Sequence, residues 1–197
     1  MSRRFRRQPP AAVVTAAILG LIVAGRACYD LFPRQGPVRL DEPPAEGHYE
    51  VVRVVDGDTL IILYPSSARS GDVADADAAA DSEKVRVRLI GIDAPESVKP
   101  DHPVEPFGPE AAEFARQFVS QGPARLRFDR RKLDKYGRVL AYVYVGDVML
   151  NEELVRRGLA RAVHYPGDSD SLARRIRAAE QEARASRLGI WSLQSRR

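Results

Sequence analysis

The first 47 residues do not carry the alternation of a folded domain. Residues 11–25 form an uncharged run in which only Thr15 is polar, and Arg3, Arg4, Arg6 and Arg7 stand before it. A basic flank ahead of an apolar core marks an export signal or a membrane anchor with its N-terminus inside. A helix over that run, at about 1.5 Å per residue, reaches only about 22 Å. A bilayer core needs roughly 20 residues, so length favours a signal peptide. Either reading of residues 1–28 predicts an exported chain, membrane-anchored or secreted. Residues 29–47, with Pro33, Pro37, Pro43 and Pro44, read as a proline-rich linker.

The pattern changes at His48. Residues 49–55 read as a strand run, Asp56-Gly57-Asp58 as a turn and residues 59–64 as a second strand. Residues 65–83 hold five acids and little apolar character, which predicts a disordered acidic insert. A third strand is expected over 85–92, a helix over 107–121, and strands over 125–128 and 139–145. Phe107, Ala111, Phe114, Ala115 and Phe118 give the first helix its apolar stripe, and Pro109 suits its first turn. Asn151 is placed to cap a short helix over 152–157, closed by Gly158. A last helix over 172–187 carries Leu172, Ile176, Ala179 and Ala183 on one side, and Trp191 follows as a core seal. Five strands with helices packed on them predict a small β-barrel domain over 48–192, ending in a short tail at 193–197.

Charge changes this picture less than the total suggests. The net charge is +4. Residues 1–40, however, hold seven arginines against Asp30 alone, so residues 41–197 sum to −2. The excess of base belongs to the leader and says little about the domain's partner. Cys28 is the only cysteine, and His48, His102 and His164 are scattered, which excludes a disulfide framework and a zinc site of ordinary spacing.

Two acidic turns carry the candidate chemistry. Asp56-Gly57-Asp58-Thr59 joins strands one and two, and Asp93-Ala94-Pro95-Glu96 ends strand three. If strands two and three pair, Asp58, Asp93 and Glu96 converge and need a counter-charge. An all-oxygen set suits a hard divalent cation. Turn chemistry alone also accounts for both motifs, and by itself it is the commoner explanation. Arg88 and Arg138 add the second half of a phosphodiester site, because a forked guanidinium pairs with phosphoryl oxygens. Arg88 lies five residues before Asp93. That odd spacing puts the two on opposite faces of a regular strand, so a twist or bulge is required.

Taken together these motifs resemble the staphylococcal nuclease family. The matching stretches are Val54-Val55-Asp56-Gly57-Asp58-Thr59, the run from Arg86 to Glu96, and Phe107-Gly108-Pro109-Glu110-Ala111. They continue through Asp134-Lys135-Tyr136-Gly137-Arg138, Leu140-Ala141-Tyr142-Val143-Tyr144, Asn151-Glu152-Glu153-Leu154-Val155, Gly158-Leu159-Ala160 and Gly189-Ile190-Trp191. They run in order from about 48 to 192.

The resemblance implies an α+β fold, a five-stranded OB-fold β-barrel with three packed helices, preceded here by the N-terminal hydrophobic segment. It implies a calcium-dependent endonuclease that hydrolyses DNA and RNA to 3′-phosphate ends. Asp58 and Asp93 would be Ca2+ ligands with the backbone carbonyl of Ala94, and Asp56 would support them without direct contact. Glu96 would position or deprotonate the attacking water, and Arg88 and Arg138 would grip the scissile phosphate. Lys135, Tyr136, His164 and Tyr165 would touch substrate. Ala94 stands where the family pattern has threonine, a change that a carbonyl ligand tolerates. The expected partners are single-stranded DNA or RNA and, for an uncleaved leader, a membrane, with the chain a monomer. A non-catalytic nucleic-acid- or peptide-binding module on the same barrel is the competing expectation.

Overall fold

The computed structural model describes residues 36–65, 82–98 and 103–196. The N-terminal apolar run and almost all of the acidic insert lie outside these residues. Among the described residues no helix is long and apolar enough to cross a membrane. The folded unit begins at Pro37.

Alternating and continuous apolar patterns produce the strands. β1 (Gly47–Tyr49) and β2 (Val51–Asp56) are separated by Glu50 alone, and β3 (Thr59–Pro65) returns from the acidic turn. β4 (Ser82–Leu89) alternates, with Val85, Val87 and Leu89 inward and Lys84 and Arg86 exposed. β6 (Ala124–Arg127) and β7 (Val139–Val145) follow, and β7 is buried along almost its whole length. β8 (Val148–Met149) pairs with β7, while β5 (Ile92–Asp93) and β9 (Arg161–Ala162) form a separate two-stranded ladder. The main path runs β1-β6-β7-β4-β3-β2, antiparallel except for the parallel β4–β7 pair.

The expected five-stranded closed barrel is therefore not seen as a closed ladder. β1 and β2 end the path and do not pair with each other. They are consecutive in sequence, so the chain through Glu50 joins the two ends. The ladder between β2 and β3 shifts register twice, between Val51 and Arg53 and between Val54 and Asp56. The expected single third strand is also divided. A turn at Ile90 and Gly91 separates β4 from β5, with Gly91 at φ 77°.

The three expected helices are present with shifted ends. α1 (Gly108–Val119) buries Ala111, Ala112, Ala115 and Phe118 and packs on β2. α2 (Leu150–Arg156) and α3 (Asp170–Ala185) pack on each other, and α3 buries Ala173, Ile176, Ala179 and Ala183. Leu60, Ile62, Val85, Leu126 and Val139 are wholly buried in the core, and such side chains contribute about 1.5–3 kcal/mol apiece. Trp191 seals a small separate cluster with Ala183, Ile190 and Phe107 rather than the main core.

Asn151 does not cap α2. Met149 holds the N-cap position, with no side-chain cap. The Asn151 amide is instead wholly buried. Its Oδ1 accepts from the Val143 N–H at 3.0 Å, and its Nδ2 donates to the Ile90 carbonyl at 2.8 Å. It pins the β7 ladder to the turn after β4.

Candidate active site

Asp58 ends the tight turn between β2 and β3. Gly57 permits that turn, because a Cβ there would lie 2.6 Å from the Ala111 Cβ and 2.7 Å from the Ala94 Cβ. The turn is thereby pressed against α1 and the exit of β5. The Asp56 carboxylate accepts the Asp58 N–H at 3.2 Å. The Asp58 carboxylate is almost completely buried. Its Oδ1 accepts from the Thr59 hydroxyl at 3.1 Å and from Arg88, and its Oδ2 accepts the Ala94 N–H at 2.9 Å. Burial pushes this carboxyl well above the ordinary range, against the opposing pull of Arg88.

Register explains why Arg88 reaches Asp58. β3 and β4 pair Thr59 with Arg88, so the guanidinium rises beside the residue before Thr59. Its other nitrogen, Nη2, donates to Asp93 Oδ1 at 2.8 Å. Arg88 thus lies between the two carboxylates. The turn at Ile90 and Gly91 resolves the odd spacing, since a residue in the left-handed region breaks the two-residue alternation. β5 then pairs Asp93 with Arg161 instead of continuing β4. The far end of the β3–β4 hairpin pairs Pro65 with Ser82, so the acidic insert emerges at the end opposite these carboxylates.

Glu96 follows in the same loop. Its Oε1 accepts the N–H groups of Ser97 and Val98, both at 3.1 Å, and its backbone N–H donates to Glu105 at 3.1 Å. Gly108 packs directly on this loop, with space for a Cβ closed by the Glu96 carbonyl at 2.8 Å. The start of α1 therefore holds the Glu96 backbone.

Arg138 comes from the turn before β7. Asp134 Oδ1 accepts the N–H groups of Tyr136 and Arg138 at 2.8 and 2.9 Å, and Oδ2 accepts Arg138 Nε at 2.5 Å. Burial raises the Asp134 carboxyl, but these donors outweigh it and hold it below the ordinary value. The Arg138 and Lys135 cations lie 5.6 and 5.0 Å from the centre of the exposed Tyr136 ring. Arg88, Arg138, Lys135, Tyr136 and Tyr165 line one cleft of about 610 Å³.

The structure therefore brings Arg88, Arg138, Lys135, Tyr136 and Tyr165 to a common cleft, from which Arg88 also bonds Asp58 and Asp93. Asp93 and Ala94 line a separate cleft with Glu105 and Arg161, and Glu96 is not among the residues lining either. His164 is placed elsewhere. It faces Asp170 at 3.9 Å and lines a polar cleft at the start of α3 with Asp129 and Asp168. A basic cleft residue escapes the motif reading. Arg131 lines the same cleft and lies 5.4 Å from the centre of the Tyr165 ring. The basic run Arg130-Arg131-Lys132 ahead of Asp134 is its only sequence signal.

Among the described residues no group of three or more His, Cys, Asp or Glu side chains is placed to hold a metal ion. The two available carboxylates still fit a hard cation. They are oxygen donors that share one guanidinium, Arg88, and oxygen is the donor a hard divalent cation takes. The Ala94 N–H is committed to Asp58, which fixes the backbone that would offer the carbonyl expected as a third donor.

Comparison with known proteins agrees with the motifs. A family model described as staphylococcal nuclease homologue matches residues 86–193. The thermonuclease of Staphylococcus intermedius is 41% identical over 157 residues, which cover 79% of this chain and 83% of that protein. The thermonuclease of Staphylococcus hyicus is 38% identical over 147 residues, covering 75% and 77%. Endonuclease YncB of Bacillus subtilis (strain 168) is 35% identical over 141 residues, covering 71% and 59%.

Proposed function

This chain belongs to the staphylococcal nuclease family, and from that membership and the residues of its cleft we propose that it is a nuclease. In this reading it is a calcium-dependent endonuclease that hydrolyses the phosphodiester bonds of DNA and RNA and leaves 3′-phosphate ends. The observation that carries the reading is the entry of two guanidiniums, Arg88 and Arg138, into one cleft, with Arg88 anchored on a carboxylate pair.

The residues divide the work. Arg88 and Arg138 bind the non-bridging oxygens of the scissile phosphate and neutralise the charge that grows on them as water adds. Asp134 holds Arg138 by its Nε, which aims the rest of the guanidinium at the cleft. Glu96 takes the proton from the attacking water. The water oxygen bonds to phosphorus, the bond to the 5′ oxygen breaks, and that oxygen leaves with a proton from solvent. Lys135, Tyr136 and Tyr165 hold the flanking nucleotide by charge and by stacking. Asp58, Asp93 and the Ala94 carbonyl would hold the calcium ion. When bound, that ion supplies positive charge to the phosphoryl group and eases deprotonation of water.

The leader pattern supports export, with the chain either anchored in a membrane or released by cleavage. N-terminal sequencing of the chain recovered from the producing cells separates these, since a released chain lacks the apolar run over residues 11–25.

The test is to incubate the full chain with single-stranded DNA and with RNA, in calcium, in magnesium and in chelator. Calcium-dependent cleavage is expected, and Glu96→Gln or Arg138→Ala should lower it by about 10²–10³. Less than a tenfold loss in both variants would remove the assigned roles. Tight binding without cleavage in any metal would instead identify a non-catalytic nucleic-acid-binding module.

A further inference from the structure

Residues 37–40 are a second support for the turn that carries Arg138. The Val38 N–H donates to the Lys84 carbonyl at 2.7 Å, and Val38 forms a parallel bridge with Val85. β3 occupies one edge of β4 as far as the Pro65–Ser82 pair, so Val38 sits on the other edge. That is the edge β7 occupies, also in parallel, from the Val87–Val139 pair onward. Residues 37–40 therefore lie on the β4 edge just short of the point where β7 joins it. Leu40 anchors them by inserting into the core at 3% exposure.

Arg39 lies between these two anchors and reaches the turn. Its Nη2 donates to the Lys135 carbonyl at 3.2 Å. Its stem fills the space beside Gly137, where a Cβ would lie 2.2 Å from Arg39 Cγ. Gly137 is at φ 75°, so the position demands glycine for its backbone as well as for this contact. Asp134 fastens the turn from within, through Tyr136 and Arg138. The Gly137 N–H also donates to the Asp134 carbonyl at 3.0 Å. None of these bonds engages Lys135, whose carbonyl Arg39 reaches from the outer side.

We propose that Arg39 is a positioning residue for Arg138: it clamps the 134–138 turn from outside and so sets where the Arg138 guanidinium enters the cleft. The segment just after the leader is thus part of the working site and not a passive spacer. The catalytic consequence rests on the nuclease reading above, whereas the clamp itself does not.

The experiment uses the full chain and two readouts. In the first, Arg39→Ala lowers kcat on single-stranded DNA by about tenfold, as expected for a slightly misplaced phosphate-binding group. Arg39→Lys, which keeps both a stem and a donor, recovers most of that loss. In an Arg138→Ala background the same Arg39→Ala change costs less than about twofold, because residues that act through one another are not additive. In the second, hydrogen exchange at the amides of Tyr136, Gly137 and Arg138 speeds up in Arg39→Ala, while the Val143 amide on Asn151 is unchanged. Equal losses in both backgrounds, or faster exchange with full activity, overturn the positioning role. Unchanged exchange at 136–138 overturns the clamp. If the unaltered chain cleaves nothing, the nuclease reading fails, and the exchange experiment judges the clamp by itself.

Discussion

Asp134 holds Arg138 at two points, accepting its backbone N–H at 2.9 Å and its Nε at 2.5 Å. A turn stabilised by its own carboxylate thus aims the side chain four residues on. Asp134→Asn keeps the size but loses the charge of the acceptor. It should lower kcat by about tenfold or more, with a small change in melting temperature.

The same carboxylate makes an acid-stability prediction. Its native value lies below the ordinary 3.8 of the unfolded chain. Its contribution to stability is therefore complete above about pH 4 and is lost as the pH falls through the lower native value. Urea unfolding measured from pH 7 down to pH 2 should show a flatter acid limb in Asp134→Asn than in the unaltered chain. Parallel limbs would remove Asp134 from the acid response.

Arg88 serves two carboxylates at once, and an ammonium cannot span both as a fork does. Arg88→Lys should lower cleavage by about 10²–10³. Arg88→Ala leaves the buried Asp58 without its cation and should also cost about 1–3 kcal/mol of stability, read by chemical denaturation. A variant as active as the parent would mean that Arg88 is a structural ion-pair partner only.

Gly57 is a steric prediction. Alanine there collides with the Cβ atoms of Ala94 and Ala111. Gly57→Ala should cost about 1–3 kcal/mol by overpacking and depress activity by displacing Asp58 from the Ala94 N–H. Adding Ala111→Gly should restore part of both losses. No rescue would mean that the contact with α1 is not what limits the turn.

Asn151 predicts a stability effect distant from the cleft. Asn151→Ala strips the Val143 N–H and the Ile90 carbonyl of a buried partner. Such losses cost about 1–3 kcal/mol per group, so thermal unfolding should shift down by several degrees. Cleavage chemistry at temperatures where the variant remains folded should be little changed.

Much of this was legible in the chain itself. The 3.6-residue spacing of Ala111, Ala115 and Phe118, and of Ile176, Ala179 and Ala183, is enough to place two helices within two or three residues of their observed ends. Alternation places β4, with Val85, Val87 and Leu89 inward, whereas β3 and β7 are marked by near-continuous apolar runs because both of their faces are buried. Asp58, Asp93, Arg88 and Arg138 stand out because acidic turns and isolated arginines at strand ends are local features. The ordered set of motifs then points to the family.

Tertiary contacts decided the rest. Asn151 looks like a cap from its neighbours, but the packing of α2 against β7 carries its amide into the interior, where it bonds strands. Adjacent in sequence, His164 and Tyr165 go to different clefts, because the chain turns there to start α3. The Arg88–Asp93 spacing needed the turn at Gly91, whose positive φ restores both groups to one side. Arg39 lies 96 residues from Lys135, in a proline-rich stretch with no periodic signal. Local pattern determines which elements form and which residues are chemically capable. The pairing of β4 with β3, with β7 and with residues 37–40 decides which of them meet, since that choice depends on register between segments and not on any neighbour along the chain.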